Sequence, residues 1–328
     1  MKKKVLETIT KYDLIQNGDK LVLGVSGGPD SISMLSILNE IKKDKTIEFE
    51  IVVAHINHMI RKEATEEEKY VKEFCEKKEI EFYSKSIDVQ KLANTNKIGT
   101  EEAGRKARYD FFDEVMKKTN SNKIAIAHNK NDKVETVFMN ILRGSGISGL
   151  KGIEAKRDCY IRPLIECERE EIESYCKENK LDPRIDQTNF ENVYTRNKIR
   201  NIVIPYIKKE FNPNIIQTID RLSTLVVEEE EYIEGRIKDI YEDILIEETK
   251  EEISLDLKKF NSQEKVIKSR LVLYTITRLF KTSRGIEKVH IEDIIKLCQK
   301  NIGNKYLTPN KSLKVLIKKH KIYFIKQI

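Results

Sequence analysis

No apolar run in this 328-residue chain approaches the roughly 20 residues that a membrane span requires. The basic start, MKKKVLETITKYDL, has no apolar signal core, because Glu7 and Lys11 interrupt it. The expectation is a cytoplasmic protein without a membrane partner. Cysteine is scarce. Cys75, Cys159, Cys167, Cys176 and Cys298 form an odd set with no C-x-x-C pair, which argues against a disulfide framework and against a zinc or iron–sulfur centre. The G-x-x-x-x-G-K-[ST] pattern of a Walker-type phosphate loop occurs nowhere. Internal repeats are missing, as are low-complexity segments long enough to be disordered.

What is present is a globular composition, 39% hydrophobic and 35% charged, with room for two domains. The net charge of +7, from 61 basic and 54 acidic residues, is too mild to favour nucleic acid alone. Its distribution says more. KSLKVLIKKHKIYFIK, from Lys311 to Lys326, carries Lys314, Lys318, Lys319, His320 and Lys321 and no acid, interleaved with Tyr323 and Phe324. That pattern suits a phosphate backbone. A β-hairpin with a solvated lysine face explains it equally well.

The first half alternates regularly. KLVLGV (20–25), FEIVVAHI (49–56), IEFYSKSID (80–88) and NKIAIAH (122–128) read as strands. Between and after them, SISMLSILNEIKK, TEEEKYVKEFCEKKE, EEAGRKARYDFFDEVMKKT and DKVETVFMNILR read as helices, the second opened by a capping-box pattern at Thr65 and Glu68. Such alternation predicts a parallel sheet covered on both faces, with ligands beyond the carboxyl ends of the strands. The alternation stops near residue 200. RLSTLVVEEEEYIEGRIKDIYEDILIEE then reads as one long helix, with Ile233, Ile237, Ile240 and Ile244 in a stripe and the glutamates from Glu228 as a solvated face. A smaller mixed domain follows: strand 252–257, helices around 265–280 and 291–300, and closing strands. The expected boundaries are 1–215 and 216–328.

Three strand ends carry the chemistry. Ser26-Gly27-Gly28-Pro29-Asp30-Ser31 follows the first strand and opens a helix. Glycines there let backbone amides approach an anion, and the helix start adds unpaired N–H groups and a positive dipole end. His55 and His58 end the second strand, and His128-Asn129 the fourth. Gly144-Ser145-Gly146-Ile147-Ser148-Gly149 matches G-x-G-x-x-G, but it follows a helix and so lacks the context of a dinucleotide site.

SGGPDS resembles the S-G-G-x-D-S signature of the pyrophosphatase-loop ATPases, which split ATP between the α and β phosphates and transfer AMP to an oxygen. The ordered set AHINHMIR (54–61), EEAGRKARYDFF (101–112), AHNKNDKVETVFMNILRGSGISGLKGI (127–153), RPLI (162–165) and DQTNFENVYTRNKIRNIVIP (186–205) resembles the tRNA(Ile)-lysidine synthetases. The likeness is close over about 18–210 and looser beyond. It implies an adenine nucleotide α-hydrolase-like α/β domain, a long linker helix and a small α+β domain that helps hold tRNA. The implied reaction adenylates C2 of the wobble cytidine in the CAU anticodon of tRNA(Ile). The amine of free L-lysine then attacks, AMP leaves, and lysidine remains.

On this reading Ser26, Gly27, Gly28, Pro29, Asp30 and Ser31 bind ATP, and Asp30 holds magnesium among phosphate oxygens. Asp132 and Glu135 share a helix face, where they can bind the lysine ammonium and help remove its proton. Arg105 and Arg108 are likewise three apart and suit charge building at the α-phosphate. Arg143, Arg196 and Arg200 are candidates for the tRNA or nucleotide, and interdomain ion pairing is the alternative for all three. Lys318 and Lys319 are candidates for tRNA. His55, with His58 and His128, is a candidate ATP contact.

Two departures from the family pattern stand out. Asn131-Asp132 replaces two consecutive acids. The chain also ends at Ile328, soon after the first C-terminal domain pattern, where longer relatives have a further tRNA-binding domain; a short form and a truncated sequence are both compatible with this. A homodimer fits the family, although no apolar stripe demands one. The rivals are a cytidine thiolase, an ammonia-using AMP-forming synthetase and a non-catalytic RNA-binding protein. The missing cysteine pair, the missing glutaminase domain and the acids in a phosphate cleft weigh against them in turn.

Overall fold

The computed structural model describes residues 1–57, 64–184, 194–283, 285–300 and 305–327. They form two compact units, Met1–Val226 and Val227–Ile328.

In the first unit, helix α1 (Lys2–Lys11) leads into strand β1 (Asp19–Gly24), α2 (Pro29–Lys43), β2 (Phe49–Asn57), α3 (Ala64–Lys77) and β3 (Glu81–Ser86). After α4 (Val89–Asn96) and α5 (Thr100–Lys118) come β4 (Lys123–Ile126) and α6 (Lys130–Leu142). A short 3-10 turn, Ile147–Lys151, precedes β5 (Lys156–Arg157), β6 (Tyr160–Ile161) and α7 (Arg169–Glu178). Then α8 (Thr195–Lys198) runs through a π-helical stretch, Ile199–Val203, into α9 (Ile204–Glu210), and α10 spans Ile215–Ile244.

The sheet order is β3-β2-β1-β4-β6-β5. All neighbours are parallel except β5, which turns back antiparallel on β6. Both faces are buried, as the unbroken apolar strands require. Leu21 and Leu23 of β1 pack with α1, α2 and α7, through Ile9, Leu35 and Ile172, whereas Val22 faces Phe111, Phe112 and Val115 of α5. Each such side chain contributes about 1.5–3 kcal/mol of burial. At the end of β1 the fit is so close that a Cβ on Gly24 would lie 2.4 Å from the Phe112 ring. The switch between the connections that leave β1 and β4 to opposite sides puts the SGGPDS loop and the His128-Asn129 strand end at one edge.

The second unit continues α10 with β7 (Leu245–Glu248), β8 (Glu252–Asp256), α11 (Leu257–Asn261), α12 (Lys265–Phe280) and α13 (Lys288–Lys300), then β9 (Tyr306–Asn310), β10 (Leu313–Lys318) and β11 (Lys321–Lys326). Its antiparallel sheet has the order β7-β8-β11-β10-β9. Ile237, Tyr241 and Ile244 of α10, with Leu271 and Ile276 of α12 and Ile294 of α13, cover Val315, Ile317, Ile322 and Phe324.

Three local expectations are corrected. Thr65 lies inside α3, and the Glu68 carboxylate turns to Asn57 and Ser84 at the neighbouring strand ends instead of closing a capping box. The long helix stops at Ile244, because Leu245–Glu248 find an antiparallel partner in β8. Glu230 is not solvated. It is 2% exposed and receives both arms of the Arg270 guanidinium, whereas Glu228, Glu229 and Glu231 face solvent.

Candidate active site

The SGGPDS loop is shaped by its own side chains. Gly27 adopts φ +92°, which L side chains rarely do, and its carbonyl accepts from the Arg184 amide at 2.9 Å. Gly28 is the extended N-cap of α2, and Pro29 fills the first helical position, where no N–H is needed. The Ser31 hydroxyl donates to the Gly28 carbonyl at 3.0 Å and accepts from the Ser26 amide at 3.2 Å. Ser31 therefore holds the turn, and Ser26 is the exposed member of the loop.

Asp30 stands in the first turn of α2. Its Oδ1 accepts from the Asn129 side-chain amide at 2.8 Å. Asn129 is fully buried and is also the N-cap of α6. Its Oδ1 accepts from the Asp132 backbone amide at 2.9 Å, and its own backbone N–H donates to Asp132 Oδ2 at 3.1 Å. The capping box expected at Thr65 thus exists at Asn129 and Asp132. Burial and the nearby charge of Asp132 push the Asp30 carboxyl up to about 6, opposed by the Asn129 hydrogen bond and by Arg169 and Arg200.

Glu135, one turn further along α6, is 1% exposed. Arg200 donates to it through Nε at 2.7 Å and Nη2 at 2.8 Å, Arg196 through Nε at 3.0 Å, and Arg169 through Nη2 at 3.4 Å. Arg200 also reaches Asp132 Oδ1 at 3.0 Å. Val134 of α6 packs on Ile199, Ile204 and Ile216, and this apolar patch holds the π-helical stretch against the two acids. The alternative of interdomain pairing for Arg196 and Arg200 is corrected: their partners lie within the first unit. Asn131, at the family's acidic position, accepts from the Arg169 amide at 3.0 Å, at the start of α7.

A second group surrounds His128. The Arg162 Nε–H donates to His128 Nδ1 at 3.2 Å, and Arg162 Nη1 donates to the Glu154 carbonyl at 2.7 Å. Burial and the charges of Arg162, Arg196, Arg105 and Arg108 push His128 down to about 3, so it is neutral. Arg105 is exposed and lies over the Tyr109 ring at 4.8 Å, and Arg108 is exposed beside it on α5. His55 is buried elsewhere on the edge. Its Nδ1 donates to the Val25 carbonyl at 2.9 Å, just before the loop, and its Nε2 has no partner among the described residues. His58 and the segment 185–193 lie outside the described residues.

Arg143 is the exposed C-cap of α6, and its side chain has no partner among the described residues. Lys318 is exposed on β10, in the second unit, opposite Lys321. Lys319 and His320 make the hairpin turn with φ +49° and +61°. The residues that sequence reasoning passed over are Asn129 as a clamp, Arg162 and Arg169. Arg162 stood inside the quoted RPLI motif, but nothing in a lone arginine shows that it meets a histidine 34 positions away.

A parallel sheet with a glycine turn, an acid and an arginine cluster at its switch edge defines a nucleotide-binding protein of the PP-loop class, and residues 1–207 match the PP-loop domain model. The chain is 46% identical over 315 residues to the tRNA(Ile)-lysidine synthase of Clostridium tetani (strain Massachusetts / E88), covering 95% of this chain and 66% of that relative. It is 44% identical over 321 residues to the synthase of Clostridioides difficile (strain 630), covering 97% and 69%. The chain belongs to the tRNA(Ile)-lysidine synthase family and spans about two thirds of the length of these relatives. A U34-tRNA thiolase from Methanococcus maripaludis has the same fold, with a TM-score of 0.55 over 68% of this chain and 77% of that one at 22% identity.

Proposed function

We propose that the chain ligates L-lysine to C2 of the wobble cytidine in the CAU anticodon of tRNA(Ile), at the expense of ATP. The observation that carries the reading is the junction of the SGGPDS loop with the α6 acids through Asn129, in a chain of this family. It sets an anion-binding turn beside a place for a cation.

The backbone amides of Gly27, Gly28, Asp30 and Ser31 hold the departing pyrophosphate, while Arg105 and Arg108 face the charge that builds at the α-phosphate. Asp30 suits magnesium. A carboxyl raised to about 6 by burial and then by the neighbouring Asp132 carboxylate gains from a divalent cation, which would balance that charge. Among the described residues no three His, Cys, Asp or Glu gather as a metal cage, so such a cation would share Asp30 with phosphate oxygens. Magnesium would supply charge neutralisation there.

Asp132 and Glu135 receive the lysine ammonium. Both are held by guanidinium groups, and an ammonium can replace an arginine without leaving either carboxylate unpaired. Arg143, Arg196, Arg200, Lys318 and Lys319 are assigned to tRNA or to the network that orders the site. The division near the α10 helix, a cytoplasmic location and a homodimer complete the proposal.

Incubation with ATP, magnesium, labelled lysine and tRNA(Ile) bearing a CAU anticodon tests it. Label in the tRNA that survives mild alkali, which strips an aminoacyl ester, is the expected result. Pyrophosphate release without label would show that the nucleophile is not lysine.

A further inference from the structure

We propose that His128 is a fixed, neutral Nε2–H donor to a phosphate oxygen of the bound nucleotide, with Arg162 as the residue that sets its tautomer. The nucleotide assignment rests on the function proposed above; the tautomer does not.

A guanidinium can only donate. With Arg162 Nε–H pointing at Nδ1 at 3.2 Å, that nitrogen must carry its lone pair, and the single ring proton of a neutral imidazole sits on Nε2. Arg162 has little freedom to turn away, since it is 7% exposed and tied to the Glu154 carbonyl. Nε2 has no hydrogen-bond partner among the described residues, and His128 as a residue keeps some exposure, just past the carboxyl end of β4 and next to Asn129. The charges that bear on it come from α5 (Arg105 and Arg108), from the residue after β6 (Arg162) and from α8 (Arg196), and all are positive. Such a group attracts an anion and resists a fifth cation. A neutral N–H inside it adds a directed hydrogen bond without adding charge.

The test uses the full chain with ¹⁵N in the histidine rings. The His128 signals, identified by their loss in His128→Gln, should keep the Nε2–H pattern from pH 5.5 to 8. An Nδ1–H pattern, or titration near the ordinary pH of about 6.5, overturns the assignment. In Arg162→Met both tautomers and ordinary titration should appear, and Arg162→Lys should restore part of the fixed pattern. If Arg162→Met does not fold, the wild-type spectrum still decides. Magnesium α,β-methylene-ATP should move the Nε2–H resonance, and an anticodon stem-loop alone should not. Movement with the RNA only would overturn the nucleotide assignment.

Pyrophosphate release with tRNA should fall about 100-fold in His128→Ala at an unchanged melting temperature, and His128→Gln should recover part. A wild-type rate in His128→Ala would sink the proposal. Pyrophosphate release is blind to which nucleophile follows, so failure of the lysine step is distinguishable from failure here.

Discussion

The side-chain amide of Asn129 donates to Asp30 across 99 positions of sequence, at 2.8 Å, while the other end of the same amide caps α6. One buried side chain thereby fixes the phosphate-loop acid relative to Asp132. Changing Asn129→Ala should remove the cap and the clamp together. The expected loss is about 2 kcal/mol, near the upper end for a helix cap. Asn129→Asp should keep the cap but repel Asp30, so it should melt closer to wild type and still release pyrophosphate slowly. Urea melts and pyrophosphate assays of both variants check this.

Asp30 should make stability fall with rising pH. Its folded value of about 6 lies above the ordinary 3.8, so the folded state binds the proton more tightly. The protein gains from that proton below about pH 4 and loses the gain as pH rises through 6. Asp30→Asn carries no charge to bury. In metal-free buffer with EDTA it should melt above wild type at pH 7.5, and the gap should close at pH 4. Pyrophosphate release should be abolished in the same variant. A constant gap across that range would refute the shift.

Glu135→Ala should be costly, since it strands Arg169, Arg196 and Arg200 around an empty carboxylate position. Breaking a buried ion pair costs about 3–5 kcal/mol. Glu135→Gln should be milder because it fills the space and still accepts hydrogen bonds. In whichever variant folds, lysine use should suffer more than ATP use. Equal losses would remove the assignment to lysine.

Neutralising Lys318, Lys319 and Lys321 should flatten the dependence of tRNA affinity on salt, by up to about 0.7–0.9 in the log–log slope per lost phosphate contact. An unchanged slope would make the hairpin a solvated face.

The strands and the helices that follow them were legible because each depends on local spacing. Continuous apolar runs such as KLVLGV suit strands buried on both faces, and a strand, two glycines and a helix start suit a tight turn open to an anion. The order of motifs also revealed the family. What tertiary structure decided is where charge meets charge. The acids Asp132 and Glu135 share a helix face by sequence, but only the packing of Val134 on Ile199, Ile204 and Ile216 brings the arginines onto them. Leu245–Glu248 read as helix because their pattern continues the stripe, yet a strand partner outweighed that local preference. Thr65 and Asn129 both carry cap chemistry, and only the position of the helix start tells which one uses it. Spacing along the chain fixes which residues share an element. Which elements meet, and therefore which buried charges are paired, is set by the core between them.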